Sequence, residues 1–479
     1  MSRWDVVIGL EIHVRLALNS KLFSGASAEY GAAPNSQVSF LDAALPGTLP
    51  VVNEKAIDYA LRFGLSIDAE IPAVTRFARK NYFYPDLPKG YQISQMDDPI
   101  VGRGQIDIET DEGVKKVNIT RAHLEEDAGK SIHDQYDDRT AIDLNRAGTA
   151  LIEVVSEPEL YSAKEAVAYM RAIYNRVTFL GICDGNLQEG SFRCDANVSL
   201  KPAGSETLGT RAEIKNLNSF RFIEKAINYE IKRQKKILTQ GEAVVQETRL
   251  YDADKDQTRS MRGKENANDY RYFPDPDLPA LKITADRLDR QRAAMPELPE
   301  AKLIRYVDDW HLPQEDARQL AYDVNMSAFF EQSQPLTKAK ATDNAKFLIT
   351  DFNALLNEHD TDISASKISP AHYAGLLDAM ASGQISRKIA KQLLSEMWHT
   401  GDSAGTLIDR QGLAQISDSG ALQAIIEQVI KNNPQQVEQF KAGNDKMFNF
   451  FIGQVMKQTK GQANPVQTKQ ILEELLSNE

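Results

Sequence analysis

From Val6 to Leu18 every second residue is aliphatic: Val6, Ile8, Leu10, Ile12, Val14, Leu16 and Leu18 share one parity. A period of two is the signature of a strand with one buried face. The first element is therefore a strand, and the N-terminal part must build a sheet with one dry side. The opposite parity ought to be plain surface. In GLEIHVRL (9–16) it carries Glu11 and His13 instead. Two residues apart on a strand, they point the same way, roughly 6–7 Å from each other. Taken alone, such a pair suits a surface ion pair as well as a pair of ligands.

Mixed strand and helix patterns continue to about residue 290, with strand candidates at 5–18, 114–124, 140–156, 193–200 and 243–251. One helix opens at Ser162 with Glu165 as a capping box, continues through Val167, Met170, Ile173, Tyr174 and Val177, and stops at Gly181. Another starts near Ser219, with Ile223, Ile227, Ile231, Gln234 and Leu238 in line. Between such elements lie aromatic, Pro/Gly-rich loops, NYFYPDLPKGYQ (81–92) and DYRYFPDPDLP (269–279). Loops of that kind usually carry function or dock a partner. Pro296 and Pro299 mark a boundary, after which the pattern turns helical, and HTGDSAG (399–405) marks a second one.

Acids appear where a strand should not want them. HLEEDAGK (123–130) sets Glu125, Glu126 and Asp127 side by side, and ALIEVVSEPE (150–159) puts Glu153 inside an apolar run. A carboxylate in a strand interior is costly unless paired or bound to a cation. Glu11, His13, the 125–127 cluster and Glu153 together describe a hard-cation site on a sheet. Oxygen-rich ligation with one imidazole suits magnesium or manganese, with substrate phosphates completing the shell.

A nucleotide site is harder to see. There is no G-x-x-x-x-G-K-[ST] loop and no G-x-G-x-x-G after a strand. The loop bearing Tyr82, Lys89, Gln92 and Ser94 is a candidate for ATP, because a lysine near aromatics can hold a phosphate beside a base. Cys183 and Cys194 are the only cysteines. Cys194 lies among apolar strand residues without a Gly-x-Cys-x-Gly elbow, which reads as packing rather than a glutaminase nucleophile. Two thiols cannot frame a chain of 479 residues with disulfides, and a reducing cytoplasm is the simplest compartment. No apolar run reaches the ~18 residues of a membrane helix. A net charge of −12 argues against binding nucleic acid over the whole surface, but leaves room for local basic patches at 211–236 and 441–469.

The stretches VVIGLEIHVRLALNSKLFSGA, RKNYFYPDLPKGYQISQ, RAHLEEDAGKS, LIEVVSEPE, RCDANVSL, AEIKNLNSFRFIEKAI and DYRYFPDPDLP, followed by MPELPEAK and FIGQVMKQTKGQANP, resemble the B subunit of the bacterial-type tRNA-dependent amidotransferases, in order and over essentially the whole chain. The resemblance implies an α+β fold: a mixed α/β cradle with antiparallel sheet (1–294), a helical domain (295–404) and a small all-α tail (405–479) that touches tRNA through Lys446, Lys457 and Lys460. It implies a ligase that amidates Glu-tRNA(Gln) or Asp-tRNA(Asn), using ATP and Mg2+. Its partners are misacylated tRNA, an amidase (glutaminase) subunit that releases ammonia from glutamine, and a small third subunit that ties the two larger ones together. A non-catalytic tRNA-binding scaffold of the same complex is the alternative. By motif, the catalytic and metal positions fall on Glu11, His13, Glu126 and Glu153, with Glu125 ranked after Glu126. Lys80 and Lys89 border the segment expected near the ammonia path. One departure stands out. Ser24, Ala26, Ser39 and Asp42 occupy positions where many family members have zinc-binding cysteines. Without thiolates no structural zinc is expected, and the loop from 20 to 50 must be held by packing and hydrogen bonds.

Overall fold

The computed structural model describes residues 4–133, 138–217, 219–263, 270–413, 419–441, 444, 446–459, 463 and 465–478. The chain divides into two units, Met1–Leu298 and Pro299–Glu479. No helix among the described residues is long and apolar enough to cross a membrane.

The first unit is organised by an eight-stranded sheet. Its strands are β1 (Trp4–Arg15), β2 (Gly104–Thr110), β3 (Gly113–Glu126), β4 (Ala150–Ser156), β5 (Phe192–Pro202), β6 (Ala212–Leu217), β7 (Glu247–Asp252) and β8 (Gln257–Gly263). The order across the sheet is β8-β7-β6-β5-β1-β4-β3-β2. Neighbours are antiparallel except the parallel pair β6–β7. The first strand of the sequence is thus a central strand, with β4 and β5 on its two sides.

The dry face expected from the alternation is the helix-covered one. Helices α1 (Glu54–Ser66), α2 (Ala163–Phe179) and α3 (Phe220–Thr239) pack on β3, on β2 and β1, and on β5 respectively. Ile8, Leu10, Ile12 and Val14 of β1 share one core with Ile152 and Val154 of β4, Met170 and Ile173 of α2, and Ile223 and Ile227 of α3. Each large side chain buried this way contributes roughly 1.5–3 kcal/mol. The helices start as their caps require. Ser162 accepts the Glu165 N–H at 3.1 Å, and Glu165 accepts the Tyr161 N–H at 2.9 Å, one residue earlier than a reciprocal box. Ser219 accepts the Phe222 N–H at 3.1 Å.

One strand expectation changes. The segment 140–156 is two strands, Ala141–Asp143 and Ala150–Ser156, joined by a turn. Gly148 sits in that turn at φ 81°, and a Cβ there would lie 2.5 Å from Asp42 Oδ1. Only glycine suits both the conformation and the close approach. Asp42 is itself an anchor of the loop from 20 to 50. The Lys21 ammonium, fully buried, donates to it at 2.8 Å, and the Ser39 N–H donates at 2.8 Å. Ser39 Oγ in turn accepts the Asp42 N–H at 3.0 Å, while Ser24 accepts the Ala26 N–H at 3.4 Å. At the positions matching family cysteines, an ion pair and local hydrogen bonds organise the loop.

The second unit is built of helices, with two apolar clusters. One gathers Tyr306, Phe330, Phe352, Tyr373, Leu393 and Met397; the other gathers Leu422, Ile426, Phe451, Val455 and Leu472. A mixed sheet followed by helical segments is the α+β architecture expected from the sequence.

Lys21→Ala leaves Asp42 buried without its cation, and lowers the unfolding free energy of the first unit by about 3–5 kcal/mol in urea titrations. The double change Lys21→Met with Asp42→Leu recovers most of that loss. A drop below about 1 kcal/mol in the single variant would mean that the pair contributes no more than a surface ion pair.

Candidate functional site

The face of the sheet opposite the helices is polar, and strand register assembles its centre. Across three adjacent strands His13 of β1 stands opposite Glu153 of β4, which stands opposite His123 of β3. On the other side of β1, His13 pairs with Arg193 and Glu11 with Asp195 of β5. Glu125, two residues beyond His123, shares its face. The result is a closed ring of contacts. His13 Nε2 lies 3.4 Å from Glu153 Oε2 and 3.6 Å from Glu125 Oε1. His123 Nε2 lies 3.3 Å from the same Glu153 oxygen and 3.9 Å from Glu125 Oε2.

Electrostatics hold the ring together. Burial by itself raises a carboxylate, but Glu153 ends well below the usual range because His123 and then His13 favour its anion. Burial by itself lowers an imidazole, but Glu153 and then Glu125 outweigh it at His123 and hold that ring up to about 9. His13 is raised for the same reasons.

One ligand atom each from His13, Glu125 and Glu153 lies within 4.8 Å of the others. One imidazole and two carboxylates make a donor set that fits a small hard divalent cation, and their spread is one that a single ion can bridge. The ring also opens on a cavity of about 210 Å³, lined by His13, Glu125, Tyr82, Gln92, Asp127, Asp195 and three cations: Lys80, Arg193 and Lys215. Lys215 donates to Asp195 at 2.7 Å, and Arg193 donates to Asp127 at 3.0 Å. Lys80 lies 5.0 Å from the Tyr270 ring centre, and its ammonium is raised: burial would lower it, but Glu125, Tyr272 and Glu153 together outweigh that. Sequence reasoning passed over Arg193, Asp195 and Lys215 as site residues. The available signal was that RCDANVSL alternates as GLEIHVRL does, with charges on one parity.

The acid preferred from the motif changes. Glu126 does not join the ring. It turns to the other side of β3, where it forms a buried ion pair with Lys89 and accepts the Ile93 N–H at 2.8 Å. The alternation of β3 puts Glu125 with His123 and sends Glu126 the opposite way. Glu11 is on the ring's face but one pair further along β1, where it accepts from Asn197 Nδ2 at 2.9 Å and borders a separate small cavity with Glu213 and Glu247. Burial first, then Glu153 and Glu213, raise its carboxyl.

The candidate nucleotide residues are largely structural. Lys89 is taken up by Glu126. Gln92 Nε2 donates to the Glu126 carbonyl at 2.5 Å, Tyr82 donates to Gln92 at 3.1 Å, and Ser94 donates to Glu125 at 3.3 Å. Gln95 accepts the Leu124 N–H at 3.0 Å. From Gln92 to Gln95 every residue hydrogen-bonds to the last residues of β3. Only Tyr82 and Gln92 of the four also line the cavity. Of the tRNA candidates, Lys457 is exposed on the helix Lys446–Gln458. The Lys446 side chain and Lys460 lie outside the described residues.

Family models decide the relationship. The GatB/GatE catalytic domain matches residues 6–289, and the GatB domain matches residues 328–476. This chain belongs to the GatB family. Among GatB relatives, one from Thioalkalivibrio sulfidiphilus is 53% identical over 474 residues, and one from Paraburkholderia xenovorans is 54% identical over 488 residues; each comparison spans 99% of both chains. A relative from Bordetella pertussis is 52% identical over 481 residues, again with 99% of both chains covered. All three are named as the B subunit of aspartyl/glutamyl-tRNA(Asn/Gln) amidotransferase. The GatB/GatE catalytic match contains the whole ring and every cavity residue named above.

Exchanging the two neighbouring acids separates their roles. Glu125→Gln weakens Mn2+ binding by about tenfold or more, as loss of a direct ligand requires. Glu126→Gln keeps Mn2+ affinity within about twofold of the parent, but lowers stability by about 1–3 kcal/mol because Lys89 loses a charged buried partner. Titration of Mn2+ by electron paramagnetic resonance, beside urea melts, checks both.

Proposed function

We propose that this chain is the carboxylate-activating component of a tRNA-dependent amidotransferase that converts Glu-tRNA(Gln), Asp-tRNA(Asn) or both to the amides. The observation that carries this is the convergence of His13, Glu125 and Glu153, the first two of which line a cavity bordered by Lys80, Arg193 and Lys215. Cation ligands beside fixed positive charges are what phosphoryl transfer from ATP to a carboxylate needs. His13, Glu125 and Glu153 would hold Mg2+. The ion supplies charge neutralisation at the phosphate oxygens when bound.

The chain's own residues do the rest. Lys80, Arg193 and Lys215 orient the phosphate oxygens and offset charge as it moves toward the leaving diphosphate. Asp127 accepts from Arg193 and so fixes that guanidinium against the cavity wall. An oxygen of the tRNA-linked carboxylate bonds to the terminal phosphorus as the bond to ADP breaks. Ammonia then forms the C–N bond as the C–O bond to phosphate breaks. The recessed cavity limits access of water to the acyl phosphate between these steps.

Both thiols support an outside source of ammonia. Burial raises Cys183 to about 12, and burial, then Asp195, raises Cys194 well above the ordinary range. Neither is held as the thiolate that a cysteine-based glutaminase uses. An amidase (glutaminase) and a small third polypeptide that links it to this chain are the proposed partners, and the cytoplasm the proposed compartment. The tail from 405 to 479 is proposed to contact tRNA, with a separate helical domain over 295–404. A non-catalytic tRNA scaffold would gain nothing from a ring of buried charge that costs stability to maintain.

Purified chain with its partner polypeptides, ATP, Mg2+, glutamine and Glu-tRNA(Gln) is expected to release phosphate in step with amide formation. Phosphate release without amide, or amide without ATP, would overturn the proposal. For the tail, Lys457→Glu lowers tRNA affinity several-fold at moderate salt and reduces the salt slope by about one charge in filter-binding titrations.

A further inference from the structure

His123 is outside the cation set just described, yet it touches both of that set's carboxylates. Its Nε2 is 3.3 Å from Glu153 Oε2 and 3.9 Å from Glu125 Oε2. The side chain is buried, at 4% exposure, and does not line the cavity, whereas His13 does. Both imidazoles address one oxygen: Glu153 Oε2 lies between His13 at 3.4 Å and His123 at 3.3 Å. One ring therefore faces the cavity and the other stands behind the acids. At 3.3 Å, Nε2 of His123 is close enough to Glu153 Oε2 for a hydrogen on that nitrogen to be aimed at the carboxylate. Its Nδ1 is buried with no hydrogen-bond partner among the described residues. Among the described residues, the charged contacts of the ring are to the two glutamates.

We propose that His123 is a positioning residue: its ring N–H, 3.3 Å from Glu153 Oε2, sets the rotamer of Glu153 so that this acid converges with His13 and Glu125 on one divalent cation. The proposal rests on the cation site of the preceding section and assigns the group that preorganises it. Register explains how the sequence achieves this. β1 carries Glu11-x-His13 and β3 carries His123-x-Glu125, the same two-residue spacing in opposite order on strands that flank β4. With Glu153 on the strand between them, two histidines bracket one acid, and the second acid arrives one pair further along β3. Without His123, Glu125 and Glu153 would repel each other across the ring and turn apart before an ion arrives. Groups that orient metal ligands in this way typically contribute tenfold to a hundredfold in affinity.

Mn2+ alone is the probe, titrated into the full-length chain and followed by electron paramagnetic resonance, with thermal melting in parallel. His123→Leu keeps an apolar filling but removes the donor, and is expected to weaken Mn2+ roughly tenfold to a hundredfold. His123→Gln places an N–H near the position of Nε2, and is expected to stay within about threefold of the parent. His123→Asn is too short to reach Glu153 and should behave as the leucine variant does, which keeps the test open if that variant does not fold. His13→Ala and Glu125→Gln mark the site itself. If they lose Mn2+ while every His123 variant binds as the parent does, His123 merely packs and the proposal is overturned. Equal loss in the Gln, Asn and Leu variants would overturn it too, since shape rather than the donor would then matter. If His13→Ala and Glu125→Gln also bind as the parent does, the cation site is not there and the role of His123 falls with it.

Discussion

Everything at the centre of this molecule depends on one row of the sheet, where His13, Glu153 and His123 sit opposite one another on β1, β4 and β3. Antiparallel pairing brings such side chains to neighbouring positions about 5 Å apart, close enough to exchange hydrogen bonds. The charges are not scattered over a surface and gathered by flexible loops. They stand on backbone that is hydrogen-bonded on both sides, with an aliphatic layer behind it. Even-numbered residues of β1 enter the core beneath the helices, with α2 packed on the strand itself, and His13 on the other parity enters the ring. A one-residue slip would exchange the two sets.

Such a centre stores unfavourable energy. Glu125 and Glu153 are buried together, and a buried carboxylate is costly without partners. At Glu153, His123 and His13 outweigh burial and favour the anion. The dry face supplies the stability that this polar face consumes, which is the usual division of labour between core and site.

Much of the fold could be read from the chain. Strict alternation named β1, a capping box named the start of α2, an apolar line named α3, and the acids inside apolar runs named Glu153. The choice between Glu125 and Glu126 could not be read, for a physical reason. β3 carries a register shift between Ile119 and Arg121. A bulge resets the phase of alternation, so parity counted from VNIT does not carry through to HLEED. Lys89 was misjudged because a lysine beside aromatics looks free until its buried partner is known, and that partner is 37 residues away. Arg193 and Lys215 depend on pairing between distant strands, which no local pattern specifies. The ion pair of Lys21 with Asp42 was equally invisible, since it joins residues 21 positions apart.

The short run Gln92–Gln95 does two jobs at one place. Alternate residues in it line the cavity or brace it, and all of them are tied to the end of β3. For natural variation this imposes a rule on length rather than on chemistry. The flanks are tied as well, by Lys89 to Glu126 on one side and by the Val101–Ala122 bridge on the other. Inside the run, one inserted or deleted residue would swap the inward and outward sets at a stroke, unhooking Glu125 and Glu126 together. Substitutions there are therefore ambiguous witnesses: a loss of activity at Gln92 or Ser94 reports on the posture of β3 as much as on any touch with substrate.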